Sequence, residues 1–134
     1  MAYVTLIVED DVRTRTKLVR QVEEAYAAIG LENEEVLTAA SLEEGLALAA
    51  VHRPVVILLD VRFTGRSVNG IDLIPAFRQV SRLAQVIMIT TMPVKDDEIR
   101  AMRLKAFSYC PKDNVAIIKA LVLGARISVV EMVS

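Results

Sequence analysis

The chain has little of what several classes of protein depend on. Its 134 residues include one cysteine, Cys110, and one histidine, His52. A single cysteine forms no internal disulfide and no cysteine-based metal cluster, which fits a reducing cytoplasm, so we expect Cys110 to be a packing residue. His52 stands two residues before Pro54, at an expected helix end, which argues against a histidine-based catalytic triad.

An excess of charge of one sign and long apolar runs are also lacking. The net charge of -1 offers neither a basic face for nucleic acid nor an acidic tail, so direct nucleic-acid binding is not expected. Charged residues interrupt the apolar stretches well short of the ~20 residues that cross a bilayer. The first residues, MAYVTLIVEDD, have no basic leader and are not typical of a signal peptide. We therefore expect a soluble, cytoplasmic chain with no membrane contact.

What is present suits one folded domain over residues 1–134. Hydrophobic residues make up 54% of the chain and charged residues 25%, enough apolar material for a single core. Three of the apolar runs hardly alternate with polar residues, which is typical of parallel strands covered on both faces. The strand candidates are YVTLIV (3–8), EVLTA (35–39), VVILL (55–59), QVIMIT (85–90) and FSYC (107–110).

Segments with helical spacing lie between the strand candidates. Ser41 and Glu44 form a capping box at the start of one, and Pro54 ends it. Pro75 stands close enough to the start of another to be tolerated in its first turn. Five helices are predicted. The first carries the apolar stripe Val12, Val19, Val22, Tyr26 and Ile29, and the third follows Gly70. The second, fourth and fifth cover residues 41–53, 96–106 and 113–130, and Gly124 is a candidate break in the fifth.

This order, strand then helix five times over, predicts an α/β fold. Right-handed crossovers with helices on both faces favour a doubly wound five-stranded parallel sheet with the flavodoxin-like strand order 2-1-3-4-5. In such sheets, ligands bind beyond the carboxyl ends of the strands. That edge would collect Glu9, Asp10 and Asp11 after the first strand, Asp60 after the third, Thr90 after the fourth and Lys112 after the fifth.

These side chains suit phosphoryl chemistry. Carboxylates that converge repel one another, and a hard divalent cation such as Mg2+, which prefers oxygen ligands, removes the conflict. Asp60 can act as a nucleophile toward phosphorus, while Lys112 and the Thr90 hydroxyl contact the phosphoryl oxygens. Alternation along the first strand makes Glu9 and Asp10 the site pair and Asp11 the N-cap of the following helix.

Five motifs carry a resemblance to a known family: LIVEDD (6–11), ILLDV (57–61), NG (69–70), VIMITT (86–91) and KAFSYCPKD (105–113). Through them, and over nearly its whole length, the chain resembles the receiver domain of two-component response regulators. The resemblance implies that Asp60 accepts a phosphoryl group from a histidine kinase or phosphotransfer protein, with Mg2+ bound nearby. It further implies a phosphorylation-dependent switch, not an enzyme beyond its own phosphotransfer and dephosphorylation.

The resemblance also assigns roles and partners. It implies a downstream effector or output domain, and a homodimer through the face formed by the fourth helix, fifth strand and fifth helix. The implied roles are a direct metal ligand for Asp10, a water-mediated one for Glu9, further ligands from Asp60 and the backbone carbonyl of Arg62, phosphoryl contacts from Thr90 and Lys112, and a switch pair in Thr90 and Tyr109.

Some residues depart from the family pattern. Phe63 and Thr64 replace the usual Met-Pro pair in a loop that is two residues longer than usual, and Asp113 replaces a proline. Among rival functions, a haloacid dehalogenase-like phosphatase needs an aspartate where Arg62 stands, and a flavodoxin's phosphate would be repelled by the acids of the first loop. A receiver-like interaction module that no longer depends on phosphorylation stays open as the alternative.

Overall fold

The computed structural model describes residues 3–65 and 67–133, in which strands and helices alternate along the chain. The elements of the described residues are β1 (Val4–Val8), α1 (Val12–Ala28), β2 (Glu35–Ala39), α2 (Leu42–His52), β3 (Val56–Asp60), a 3-10 turn (Gly70–Leu73) that leads into α3 (Ile74–Val80), β4 (Gln85–Thr90), α4 (Lys95–Arg103), β5 (Ser108–Pro111) and α5 (Val115–Val133).

The strands form one parallel sheet in the order β2-β1-β3-β4-β5, which confirms the predicted topology. β1 therefore lies between β2 and β3, and the strand order reverses where the carboxyl ends of β1 and β3 meet. In the register of the sheet, Val8 is opposite Leu59 and Asp60 is opposite Ile89. The residues that directly follow β1 are thus brought beside Asp60.

Two hydrophobic cores lie on the two faces of the sheet, because alternate strand residues point to opposite sides. Leu6 and Val8 of β1 pack with α2, α3 and α4, while Ile7 packs with α1 and α5. Every residue of β3 is buried, as the unalternating run predicted. Among the described helices, none combines the length and the hydropathy that crossing a bilayer requires.

The predicted helices exist, but two details of their interiors were wrong. Val12 and Ile29 of the predicted α1 stripe are exposed, and the buried side of α1 consists of Leu18, Val22, Ala25 and Tyr26. Val12 is the first residue of α1 and Ile29 is its C-cap, so both stand at the ends of the helix. Gly124 does not end α5, which continues to Val133.

The helix ends follow local capping chemistry. The Ser41 hydroxyl accepts a hydrogen bond from the Glu44 backbone N–H at 3.1 Å, which is the first half of the predicted box. α4 ends at Arg103, earlier than predicted, and Lys105 takes a left-handed backbone conformation with φ of 72°. Pro75 stands in the first turn of α3, as predicted.

Candidate functional site

Three carboxylates meet where β1 and β3 end. One oxygen from each of Glu9, Asp10 and Asp60 lies within 4.8 Å of the others. Glu9 and Asp60 are buried, and Asp10 is partly buried. Their placement follows from the sheet, because Glu9 continues β1 with its backbone N–H bonded to the Ala39 carbonyl at 3.0 Å, beside the strand that carries Asp60.

Lys112 is the cation at this cluster. Its Nζ lies 2.6 Å from Glu9 Oε1 and 3.0 Å from Asp60 Oδ1, and its side chain is largely buried. The Lys112 backbone N–H donates to the Thr90 carbonyl at 2.9 Å, which fixes the lysine at the end of the sheet. Burial alone would lower the pKa of Lys112, but hydrogen bonds and charge attraction from Glu9 and Asp60 outweigh it and raise the pKa.

The Asp60 carboxylate has few hydrogen-bond donors and positive charges around it among the described residues. Burial, and next the neighbouring charge of Glu9, raise the pKa of Asp60 to about 6, although Lys112 and the Arg62 backbone N–H oppose the shift. That N–H is 3.4 Å from Asp60 Oδ1. Asp60 Oδ2 is buried and has no hydrogen-bond partner among the described residues. The site therefore holds three acids against one lysine and leaves one carboxylate oxygen available.

This donor set fits a hard divalent cation. All three side chains offer oxygen, the ligand type that Mg2+ and Ca2+ prefer, and Mg2+ commonly uses one or two carboxylates with the remaining positions taken by water. A cation would also offset the charge that burial and Glu9 disfavour on Asp60. Of the residues predicted for this site, Glu9, Asp10 and Asp60 are those that the structure brings together as a possible metal-binding group.

Asp10 and Asp11 have different surroundings, as their alternation predicted. Asp10 Oδ2 accepts a hydrogen bond from the Thr64 backbone N–H at 2.9 Å. Burial acts to raise the pKa of Asp10, but the hydrogen bonds from Thr64 outweigh it and lower the pKa. Asp11 caps α1 and accepts hydrogen bonds from the backbone N–H and the hydroxyl of Thr14, at 2.9 and 2.7 Å. Its hydrogen bonds to Thr14 lower the pKa of Asp11.

The chain after Asp60 folds back onto the strand end. The Gly70 backbone N–H donates to the Val61 carbonyl at 2.7 Å, and a Cβ at residue 70 would collide with the Asp60 carbonyl oxygen. The Asn-Gly pair is thus explained by close backbone approach, since only glycine fits at this position. Phe63, which departs from the family pattern, is buried and adds to the core.

Thr90 and Tyr109 hold the loop between β4 and α4. The Thr90 hydroxyl donates to the Met92 carbonyl at 3.3 Å and accepts from the Met92 backbone N–H at 3.2 Å. The Tyr109 hydroxyl accepts from the backbone N–H of Val94, the residue before α4, at 3.0 Å. Both hydroxyls therefore bind the same loop, and the described contacts do not join Thr90 to Asp60.

Two ion pairs near the site were missed by sequence reasoning. Arg62 lies 2.9 Å from Asp97 in the first turn of α4, and Arg100, one turn further along α4, pairs with Asp72. Acids in the first turn of a helix such as α4 suit the helix dipole, which does not identify a partner residue. No local pattern in the sequence links Arg62 to a residue 35 positions away, so the pairing follows only from the fold.

Solved structures share this fold. The receiver domain of AraT from Geobacillus stearothermophilus is 22% identical, with a TM-score of 0.82 and 100% of both chains covered. A response regulator from Burkholderia pseudomallei, solved with a phosphorylated aspartic acid, a calcium ion and citrate, is 22% identical with a TM-score of 0.76, covering 97% of this chain and 72% of that one. Vibrio cholerae CheY4 is 23% identical with a TM-score of 0.70, covering 96% and 99%.

A comparison of the sequence with family models shows the family of the chain. No curated protein matches the chain significantly. The family model of the response regulator receiver domain, however, matches residues 5–122, which extend from the second residue of β1 to within α5 and include the acid cluster with its lysine. The chain belongs to the response regulator receiver domain family.

Proposed function

We propose that residues 1–134 act as a single receiver domain that accepts a phosphoryl group on Asp60 from a histidine kinase or phosphotransfer protein. The observation that carries this proposal is the state of the Asp60 carboxylate. One oxygen contacts Lys112, and the other is buried without a hydrogen-bond partner among the described residues, beside two further acids. An anionic oxygen left available at a strand end suits a nucleophile.

In the proposed transfer, an Asp60 oxygen attacks the phosphorus of the donor. A phosphorus–oxygen bond to Asp60 forms, the phosphorus–nitrogen bond of the donor phosphohistidine breaks, and the electron pair leaves with the imidazole. Lys112, already between Glu9 and Asp60, supports the negative phosphoryl oxygens. In the reverse direction, water attacks the phosphorus and releases phosphate, which restores the carboxylate. These self-directed steps are the only chemistry that we assign to the chain.

The proposed metal is Mg2+. Asp10 and Asp60 would ligate it directly, Glu9 would act through water, and the backbone carbonyl of Arg62 would add a further ligand. When bound, Mg2+ supplies positive charge that balances the carboxylates and the incoming phosphoryl oxygens. Support comes from the three carboxylates gathered within 4.8 Å and from the calcium ion in the Burkholderia pseudomallei structure.

The proposed output is a change in partner binding. Phosphorylation would draw the Thr90 hydroxyl from Met92 toward the phosphoryl group, and Tyr109 would release Val94 and turn inward. The face formed by α4, β5 and α5 would then alter its affinity for an effector, an output domain or a second copy. The proposal places the chain in the cytoplasm, with no direct nucleic-acid or membrane contact.

Phosphorylation with acetyl phosphate tests this function. With Mg2+ present, we expect the intact chain to gain the mass of one phosphoryl group, and Asp60→Asn to gain none. Asp11→Asn is the matched control, because Asn caps a helix about as well as Asp and residue 11 binds Thr14. Asp10→Asn should need at least about tenfold more Mg2+ for the same labelling, since it loses a direct ligand.

Two results would count against the proposal. An unlabelled wild-type chain, in the presence of both Mg2+ and acetyl phosphate, would favour the interaction module that does not depend on phosphorylation. Equal labelling of wild type and Asp60→Asn would place the phosphoryl group on another residue, and a Mg2+ defect in Asp11→Asn rather than Asp10→Asn would exclude the metal site as assigned.

A further inference from the structure

The positive charges of the α2, α3 and α4 layer are concentrated at one end of the molecule. These helices pack on the same face of the sheet, and their carboxyl ends lie at the edge where the parallel strands begin. The acids of the layer stand at the helix starts, and no acid occurs in residues 45–59, 73–95 or 99–112. Five cations at the carboxyl ends are called here the basic patch: Arg53, Arg78, Arg82, Arg103 and Lys105.

Contacts between the helix ends hold these cations near one another. The Ser81 hydroxyl donates to the Pro54 carbonyl, which joins the end of α3 to the residue after Arg53. The Arg78 guanidinium donates to the Lys105 carbonyl at 3.4 Å, which joins α3 to the end of α4. Because the axes of packed helices lie about 8–10 Å apart, the three helix ends span about 20 Å.

The basic patch is not neutralised within the part of the chain that the structure describes. Arg53, Arg82, Arg103 and Lys105 are exposed, and none of them forms an ion pair with a described acid. Like charges that are close together repel one another. An anionic partner would relieve this repulsion, which the net charge of -1 for the whole chain conceals.

Two of the cations stand where the backbone favours glycine. Arg53 has a φ of 47° and Lys105 a φ of 72°, and among the described residues they are the non-glycine residues with positive φ. This left-handed conformation often ends a helix, and glycine adopts it without steric strain. A cation in the last helical turn would satisfy the helix dipole without that strain. Strained residues that keep a charge at the surface point to a function.

A cavity of about 420 Å³ lies within the basic patch. It is lined by Arg53, Gln79, Val80, Ser81, Arg82 and Leu83. Leu83 is 36% exposed, so the cavity combines apolar surface with the two arginines. An apolar cavity of about 150 Å³ already accepts benzene, and this one therefore has room for an apolar side chain.

We infer that the basic patch is a docking surface for an acidic segment of a partner protein, with one apolar side chain of that segment in the cavity. Arginine pairs with carboxylates through two parallel hydrogen bonds, which suits a surface with four arginines. An extended segment advances about 3.3 Å per residue, so about six residues would cross the patch. The apolar cavity and the net charge of -1 favour a short acidic peptide over a nucleic acid.

Fluorescence anisotropy with the labelled peptide Asp-Glu-Leu-Asp-Glu-Glu tests the inference. We expect a dissociation constant below about 1 mM at about 50 mM salt, and binding at least about fivefold weaker at about 200 mM salt. Arg82→Glu should weaken binding at least about tenfold. Arg20→Glu makes the same charge change at an exposed position of α1 and should bind within about twofold of wild type. Serine in place of the peptide leucine should weaken binding at least about threefold, because the cavity then stays unfilled.

Arg53→Gly separates the charge of residue 53 from its part in folding. Glycine fits the left-handed backbone, so the variant should unfold at no lower a urea concentration than wild type. It should nevertheless bind the peptide at least about threefold more weakly, since one cation of the patch is lost.

A wild-type chain that does not bind the peptide would overturn the inference, and so would an Arg20→Glu chain that loses as much binding as Arg82→Glu. Tighter binding of an oligodeoxythymidine of equal charge would make a nucleic acid the occupant instead. A mean mass that rises with protein concentration in wild type but not in Arg82→Glu would make the occupant a second copy. The patch lies at the opposite end of the sheet from Asp60 and the experiment uses no phosphodonor, so its result is separate from the labelling of Asp60.

Discussion

Asp60 is a single residue whose side chain is both charged and buried. Its carboxylate stands at the end of a strand whose other members are apolar and buried, where an ion loses its hydration. Lys112 meets one oxygen, but Glu9 competes for the same lysine and repels Asp60. The buried charge of Asp60 thus lowers the stability of the fold, and it leaves one anionic oxygen available. This combination is typical of functional sites.

Asp60→Asn should therefore stabilise the metal-free chain at neutral pH. The folded Asp60 pKa of about 6 lies above the value of about 4 expected in the unfolded chain. The folded chain consequently holds the proton more tightly, so stability is lost as the pH rises from about 4 through about 6. At pH 7 the variant should gain on the order of 2 kcal/mol, and near pH 4 the gain should vanish.

Urea unfolding in EDTA at both pH values measures this difference. Asp96→Asn, which removes an exposed acid in the first turn of α4, is the control and should show no gain. A metal-free Asp60→Asn chain no more stable than wild type at pH 7 would show that the Asp60 charge carries no folding cost.

At the scale of elements, the loop between β4 and α4 is held from two strands at once. Thr90 at the end of β4 binds Met92, and Tyr109 on β5 binds Val94, directly before α4. Two hydroxyls on neighbouring strands therefore fix the start of one helix. Movement of either side chain would release part of the loop, which makes α4 the element best placed to respond to the site.

Tyr109→Phe should loosen the start of α4 without unfolding the sheet. The Val94 N–H loses its acceptor, so its amide hydrogen should exchange faster, and the chain should lose about 1 kcal/mol of stability. Hydrogen exchange followed by NMR measures the Val94 amide. Tyr26→Phe, which instead loses a hydrogen bond to Thr5, is the control and should leave Val94 unchanged. Unchanged Val94 exchange in Tyr109→Phe would mean that the tyrosine does not restrain the loop.

The elements were largely predictable from the sequence, whereas the contacts between their side chains were not. The apolar runs located β3 and β4 because burial on both faces demands them, and the strand ends then gathered Glu9, Asp10 and Asp60. The bonds of Tyr109 to Val94 and of Arg62 to Asp97 depend on how a loop closes. Hydrophobic periodicity indicates which side of a helix or strand faces the core. It does not indicate which side chains of two different elements meet, so it could not reveal these two contacts.

At the scale of the whole molecule, each end of the sheet carries a cluster of charged side chains, and the two clusters differ in how well their positive and negative charges balance. At the carboxyl ends the acids outnumber the lysine. At the other end Glu34 and Arg126 form a buried pair that is complete. Glu34 also accepts the Tyr3 backbone N–H at 2.9 Å, and the Arg126 guanidinium lies 4.4 Å from the centre of the Tyr3 ring. This second cluster joins the start of β1, the turn before β2 and the far half of α5.

The pair of Glu34 and Arg126 should contribute strongly to the stability of the fold, unlike the cluster of acids around Lys112. Glu34→Ala leaves Arg126 buried without its anion, so we expect a loss of about 3 to 5 kcal/mol in the free energy of unfolding. Glu32→Ala, an exposed glutamate nearby, should change it by less than about 0.5 kcal/mol. The double variant Glu34→Ala, Arg126→Met should lose less than Glu34→Ala alone, because no buried charge is stranded.

Urea unfolding of the four chains at pH 7 checks this expectation. A Glu34→Ala chain as stable as Glu32→Ala would show that Arg126 finds other partners or water, and that the cluster does not fasten α5. A double variant less stable than Glu34→Ala would instead point to packing by the Arg126 stem against Tyr3. The expected order has one physical basis at both ends of the sheet, because a buried charge destabilises the fold when the opposite charges around it do not balance it. At Asp60, Lys112 is shared with Glu9, and this imbalance leaves one Asp60 oxygen available to react.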